Sequence, residues 1–235
     1  MKKQIAGIIG GMGPLSSIKF YTDVITYSQD KYHIRKNDEY PHLLISNLPV
    51  PDLINDREKE EETKNMIITE LKQMEKAGVT FFSIANNTVH LFIEEFRQAV
   101  PVPILSIVEE TKSEIEKTTT KKLLLLGTPT TIKQRLYQSV FEKTDIQIIS
   151  PSDEELVFLG KLIPKLVGNT QEKAETEKLN DLIFAYQNCD AVLLACTELF
   201  LAIDEKRQTK PIYDAMTLLT RRTARIALHK DPIIV

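Results

Sequence analysis

The chain has 235 residues, 30 basic and 33 acidic, for a formal charge of −3, and is long enough to bury a core as one large α/β domain or as two of about a hundred residues each. Its charges are spread along the sequence, which leaves no basic face to neutralise a phosphate backbone and excludes nucleic acid as an expected partner. The apolar run Ile5 to Ile9 is too short for a secretory signal, and no stretch approaches the roughly 18 apolar residues of a membrane span, so a cytoplasmic protein without a membrane partner is expected.

Residues 4–9 read as a first buried strand. Gly10-Gly11-Met12-Gly13-Pro14 follows as a tight loop, and Leu15 to Ser28 as an amphipathic helix carrying Leu15, Ile18, Phe20, Tyr21, Val24 and Ile25. A glycine turn before a helix start is either a structural turn or a site for a carboxylate or phosphate, and on the second reading Met12 and Gly13 are expected to touch the ligand. A dinucleotide is not expected, because Gly11-x-Gly13-x-x-Ser16 lacks the third glycine and the second strand, Leu43 to Leu48, ends in Ser46-Asn47 rather than an acid. Pro49 and Pro51 break that strand into a loop, and the charge-dense Asp56 to Asn65 begins a helix that ends at Ala77-Gly78.

Thr80 to Ala85 is a third strand. It ends in Asn86, Asn87, Thr88 and His90, and a helix is expected to follow. Pro103 to Ser106 is a short fourth strand and Val108 to Lys117 a crossover helix. Lys122 to Gly127 restarts the pattern, with Thr128, Thr130 and Thr131 in the next turn and a helix through Leu136, Val140 and Phe141. Ile146 to Ile149 is a strand, Gly168 to Lys178 a polar stretch between helices, and Leu179 to Tyr186 a helix. Ala191 to Ala195 is a strand ending in Cys196, Thr197 and Glu198. Pro211 to Tyr213 is the last strand and Thr217 to His229 the last helix.

Strands alternate with helices, which argues for parallel sheets. The halves also repeat in order. Gly10 and Gly127 are 117 positions apart, Asn86 and Cys196 110, and Pro103 and Pro211 108. The expectation is an α/β fold of two pseudo-symmetric lobes, each a parallel sheet flanked by helices, with the active site in the cleft where their strand ends meet. Residues 1–106 plus 210–235 are assigned to the first lobe and 107–209 to the second.

Cys189 and Cys196, seven apart and assigned to one strand, would face opposite ways, so neither a disulfide nor a shared metal is expected. A thiol at Cys196 would gain thiolate character from a following helix N-terminus and could act as acid, base or nucleophile, the alternative being a structural cysteine buried in a strand. Asn86 is an amide, able to position a ligand but not to take up a proton usefully near neutrality. His90 could titrate in the relevant range and is either a candidate proton relay or a histidine packed at the helix start, with Glu198 as another candidate relay. The threonines can hold a carboxylate or simply cap helices. No Gly-x-Ser-x-Gly elbow is present.

Five segments resemble the aspartate/glutamate racemases that work without pyridoxal phosphate. They are Gly7 to Pro14, Asn87-Thr88-x-His90, Pro103 to Ile107, Leu126-Gly127-Thr128 and Ala195-Cys196-Thr197-Glu198. The resemblance implies no cofactor or metal, an acidic amino acid or dicarboxylate as ligand, commonly a homodimer, and two cysteines facing each other across the substrate Cα. Cys196 matches the second. The first falls on Asn86, and a second departure is Leu53, where an arginine often follows Pro-Asp; the nearest arginine is Arg57. Asn47, Asn87, Thr88, Thr128, Thr130, Thr131 and Thr197 match positions resembling the family's substrate contacts. With one thiol, the expectation is a slow or direction-biased racemase. The alternatives are a malonate-type decarboxylase, which needs one proton donor, and a binding protein that keeps the cleft without the chemistry.

Overall fold

The computed structural model describes residues 4–233. Two four-stranded parallel sheets carry the chain. The first has β1 (Ile5–Gly10), β2 (His42–Asn47), β3 (Phe81–Ile84) and β4 (Ile104–Leu105) in the order β2-β1-β3-β4. The second has β5 (Lys122–Gly127), β6 (Gln147–Ile149), β7 (Ala191–Ala195) and β8 (Ile212–Asp214) in the order β6-β5-β7-β8. Ala6 pairs with Phe81, and Leu123 pairs with Ala191. The constant spacing read from the sequence is thus the same strand order and pairing used twice.

Period-two burial explains why the strands read as continuous apolar runs. On the first sheet Ala6, Ile8, Phe81 and Leu105 face one core, while Ile9, Phe82, Ile84 and Ile104 face another. The first of these cores is continuous with the whole interior of the second sheet. It runs through Phe20 and Val24 of α1 (Pro14–Tyr32) and Leu219, Ala224 and Ile226 of α9 (Ala215–Ala227).

That continuity changes the expected division at residue 210. β8 pairs with β7 in the second sheet, while α9, which follows it directly, packs on α1 and on α4 (Ile107–Ile115). α1 also differs from its expected orientation. Its buried stripe is Ser16, Ser17, Phe20, Val24 and Ser28, and Leu15, Ile18 and Tyr21 are exposed. The small serines let the helix approach the glycine loop closely, which larger apolar side chains would prevent.

The remaining helices are α2 (Glu60–Lys76), α3 (Ile93–Ala99), α5 (Pro129–Lys133), α6 (Gln138–Phe141), α7 (Asp153–Val167) and α8 (Lys173–Ala185). Much of the polar stretch before Leu179 is therefore the first half of α8, started by a capping box between Glu172 and Glu175. The polar clusters after β3 and β7 lead into short 3₁₀ turns, Thr88–Phe92 and Leu199–Ala202, rather than directly into α-helices. Among the described residues no helix is long and apolar enough to cross a membrane.

Candidate active site

The carboxyl ends of β1, β3, β5 and β7 meet at a cleft of about 290 Å³. Its lining includes Met12, Gly13, Asn86, Asn87, Thr88, Thr128, Cys196, Thr197 and Glu198, all among the residues expected from the sequence. Four others do not line it. Asn47 lies exposed on the edge strand β2, and Thr130 donates to the Ile54 carbonyl at 3.1 Å. Thr131 stands behind Thr128, and His90 is buried behind Asn86.

Glu198 is the centre of the hydrogen bonding. Its Oε1 accepts from the Gly13 N–H at 2.9 Å and the Ser16 hydroxyl at 2.7 Å. Its Oε2 accepts from the Thr197 hydroxyl at 2.8 Å and the Cys196 thiol at 3.4 Å. A carboxylate does rest on the glycine loop, then, but it is the protein's own, supplied by the other lobe. This corrects the expectation that the Gly13 amide waits for a ligand anion. The loop's geometry requires its glycines: Gly11 has φ +91, with Leu48 backbone atoms 2.5 Å from where a Cβ would stand.

Cys196 follows β7 directly, and Cys189 precedes it, so the two cysteines mark the strand's opposite ends instead of sharing it. Both are free thiols. Burial pushes the Cys196 thiol well above the ordinary range, and the negative charge of Glu198 adds to the effect, while the Glu198 and Leu199 backbone N–H groups oppose it. The expected gain in thiolate character is reversed. The four-residue 3₁₀ turn supplies less field than an α-helix N-terminus, and desolvation outweighs it. At rest the group is a proton donor aimed at Glu198.

Asn86 has both ends of its amide engaged. Nδ2 donates to the Met12 carbonyl at 2.8 Å, and Oδ1 accepts from the Val89 N–H at 3.1 Å. His90 is equally committed: Nε2 accepts from the Ile107 N–H at 3.2 Å, so Nδ1 carries the proton and donates to the Asn86 carbonyl at 2.8 Å. Burial lowers its pKa to about 4. The imidazole is a neutral strut between two backbone segments, not a proton relay.

Asn87 is the opposite case. Its Oδ1 accepts from the fully buried Tyr137 hydroxyl, while its buried Nδ2 has no partner and belongs to a side chain that lines the cleft. Burial raises the Tyr137 pKa, which keeps that hydroxyl a donor and so fixes the amide orientation. An unpaired buried N–H₂ is a donor left without an acceptor, and this one belongs to the cleft wall. Beside it, Thr88 of the first lobe meets Thr128 at 3.1 Å and Thr131 at 3.0 Å. These hydroxyls join the lobes and place further polar groups at the cleft.

A strap after β2 adds Val50 to Ile54 to the lining. Asn55 Nδ2 donates to the Gly160 carbonyl of α7 at 3.2 Å. Pro164, four residues further along that helix, has no N–H to offer this carbonyl, so the strap's amide takes its place. A Cβ at residue 160 would lie 2.4 Å from Asn55 Oδ1, so a larger residue would displace the Asn55 amide from this carbonyl. The sequence reading missed this, as it missed Ser16 and Tyr137. Its available signal was a proline four residues after a glycine within an otherwise helical apolar pattern.

The fold and site define a two-lobed α/β protein with a buried thiol–carboxylate pair in its interlobe cleft. The Asp/Glu/hydantoin racemase model matches residues 9–223, and the chain belongs to that family. The broad specificity amino-acid racemase RacX of Bacillus subtilis is 34% identical over 224 residues, covering 92% of this chain and 95% of the relative. Among solved structures, an aspartate racemase homologue from Pyrococcus horikoshii superposes with TM-score 0.79 at 31% identity, covering 97% of this chain and 99% of the other. The Picrophilus torridus aspartate racemase gives TM-score 0.80 at 27% identity, covering 95% and 94%.

Proposed function

We propose that the protein is a cofactor-independent amino-acid racemase that moves the α-proton through a single thiol, Cys196, with Asn86 standing where the family's other base would be. The observation that carries this reading is the pairing of a protonated, buried Cys196 with Glu198 in a cleft whose counterpart residue, Asn86, has its amide engaged at both ends. The unpaired Asn87 amide, with Thr88, Thr128 and Thr197, receives the substrate's carboxylate and amino groups.

When the α-hydrogen faces Cys196, the thiol first passes its proton to Glu198 Oε2, and the thiolate then takes the α-proton. Water returns a proton to the opposite face of the carbanion, and the hydroxide left behind takes back the proton held by Glu198. When the α-hydrogen faces away, the steps run in reverse: water gives a proton to Glu198, the resulting hydroxide removes the α-hydrogen, the Cys196 thiol delivers, and Glu198 returns its proton to the thiolate. Racemisation has a unit equilibrium constant, so kcat/KM is equal in both directions and the asymmetry appears in isotope exchange instead. In heavy water the enantiomer with its α-hydrogen on the water side exchanges faster, because a sheltered thiol returns the proton it took.

Cys196→Ala should abolish racemisation and exchange, and Asn86→Cys should increase turnover. Turnover surviving in Cys196→Ala refutes the assignment. Release of carbon dioxide from a malonate, with no exchange on amino acids, would replace racemisation by decarboxylation. We place the protein in the cytoplasm as a homodimer, with the exposed Leu15, Ile18 and Tyr21 face of α1 supplying apolar contact area. Light scattering on Ile18→Glu tests that assembly.

A further inference from the structure

The cleft lining has two chemically different parts. The polar part, with Asn87 Nδ2 and the threonines, suits the groups that every α-amino acid shares. The other part is a wall made by Val50, Leu53 and Ile54 of the strap and by Ile163, Pro164 and Val167 of α7. Leu53 and Ile163 are buried to 4% and 1% exposure, so their side chains are fixed parts of the interior.

The charges that line the cavity have one sign. Among the described residues no lysine, arginine or histidine lines the cavity, and its charged members are Asp52 and Glu198. Glu198 already accepts four hydrogen bonds from the protein. Asp52 is exposed at the rim, its Oδ1 accepting the Ile54 N–H at 3.3 Å. Arg57, the arginine of the strap, is turned away to Glu60, to Gln134 at 3.0 Å and to the face of Phe92.

We propose, resting on the racemase reading above, that the substrate is an α-amino acid whose side chain is aliphatic and non-acidic. A second carboxylate at the wall would lose its water with no cation to replace it, and would approach the like charge of Asp52. An aliphatic chain gains from the same surface, and one methylene in such a pocket discriminates by roughly 10- to 200-fold. A cationic end carried on an aliphatic stem fits equally, since the stem lies on the wall and the charge reaches Asp52. The wall holds its shape because the strap is pinned to the second lobe at two points, Asn55 on the Gly160 carbonyl and Thr130 on the Ile54 carbonyl.

The test is α-deuterium exchange on both enantiomers of leucine, methionine, lysine, aspartate and glutamate, with calorimetric binding of the same acids to Cys196→Ser. Exchange and binding at least tenfold better for the non-acidic set support the proposal. Aspartate or glutamate performing as well as leucine overturns it while leaving the racemase reading intact. Selective binding of the non-acidic set with no exchange on any acid supports the pocket assignment and sinks the racemase reading. Loss of both selectivity and exchange removes both. Leu53→Arg should shift the leucine-to-glutamate binding ratio at least tenfold towards glutamate. Ile54→Arg, at a half-buried position, makes the same test if Leu53→Arg fails to fold, and an unchanged ratio in a folded variant counts against the proposal.

Discussion

Replacing Glu198 by glutamine removes the charge on which donors from both lobes converge. The glutamine oxygen can keep the Gly13 N–H and the Ser16 hydroxyl, but its NH₂ then faces Thr197 and Cys196, whose hydrogens must turn away. Hydrogen bonds to a charged acceptor contribute about 1.5–3 kcal/mol and neutral ones about 0.5–1.5. Two bonds weakened and two reversed come to about 2–4 kcal/mol of stability. In a chain of this size each kcal/mol corresponds to about 2–4 °C, so Tm should fall by about 5–15 °C. A second readout follows the thiol. Burial still opposes its ionisation, but the repulsion from Glu198 is gone, so the pH midpoint of iodoacetamide alkylation should move down. Both measurements are made with Cys189→Ser in the background, leaving one thiol to read. A Tm within about 1 °C of the parent, or an alkylation midpoint that rises, would refute the idea that Glu198 binds the lobes together and holds the Cys196 proton.

His90 predicts an acid-side loss of stability. Its folded pKa is near 4 because it is buried, against about 6.5 in the unfolded chain. Between those values the unfolded state binds a proton that the folded state refuses, so stability present at pH 7 declines as the pH falls through the window. Urea titrations at pH 7 and pH 5 should differ by about 2 kcal/mol from this group, and His90→Asn should lose that share of the slope. The strap gives a coupling test: Asn55→Ala strands the Gly160 carbonyl and should cost about 1 kcal/mol. Adding Pro164→Ala restores an N–H to that carbonyl and should recover part of the loss, so equal costs in both backgrounds would contradict the substitution of side chain for backbone donor.

Much of the architecture was legible because both halves use continuous apolar strands, and a strand buried on both faces needs no partner to announce itself. Lys122 to Gly127 and Ala191 to Ala195 are found with the bounds read from the sequence. The end of each strand in the chain order also fixed which polar clusters reach the cleft, so Asn87, Thr88, Thr128, Cys196 and Thr197 were found together. Where the reading failed, a neighbour distant in sequence decided the outcome. The helical pattern of α1 named the right helix and the wrong buried stripe, because the serines facing the loop and Glu198 are selected by close approach and not by hydropathy.

The sequence by itself determined the repeated order of strands, the position of the thiol and the family to which those motifs point. Local pattern suffices for these, since each depends on residues that follow one another. Only the tertiary structure decided that Glu198 occupies the glycine loop, that Cys196 is held as a thiol, that His90 is a strut, and that aliphatic side chains from the strap and α7 line the cleft. Each of these is set by desolvation or by a hydrogen bond between segments far apart in the chain, and neither quantity exists until the lobes have met.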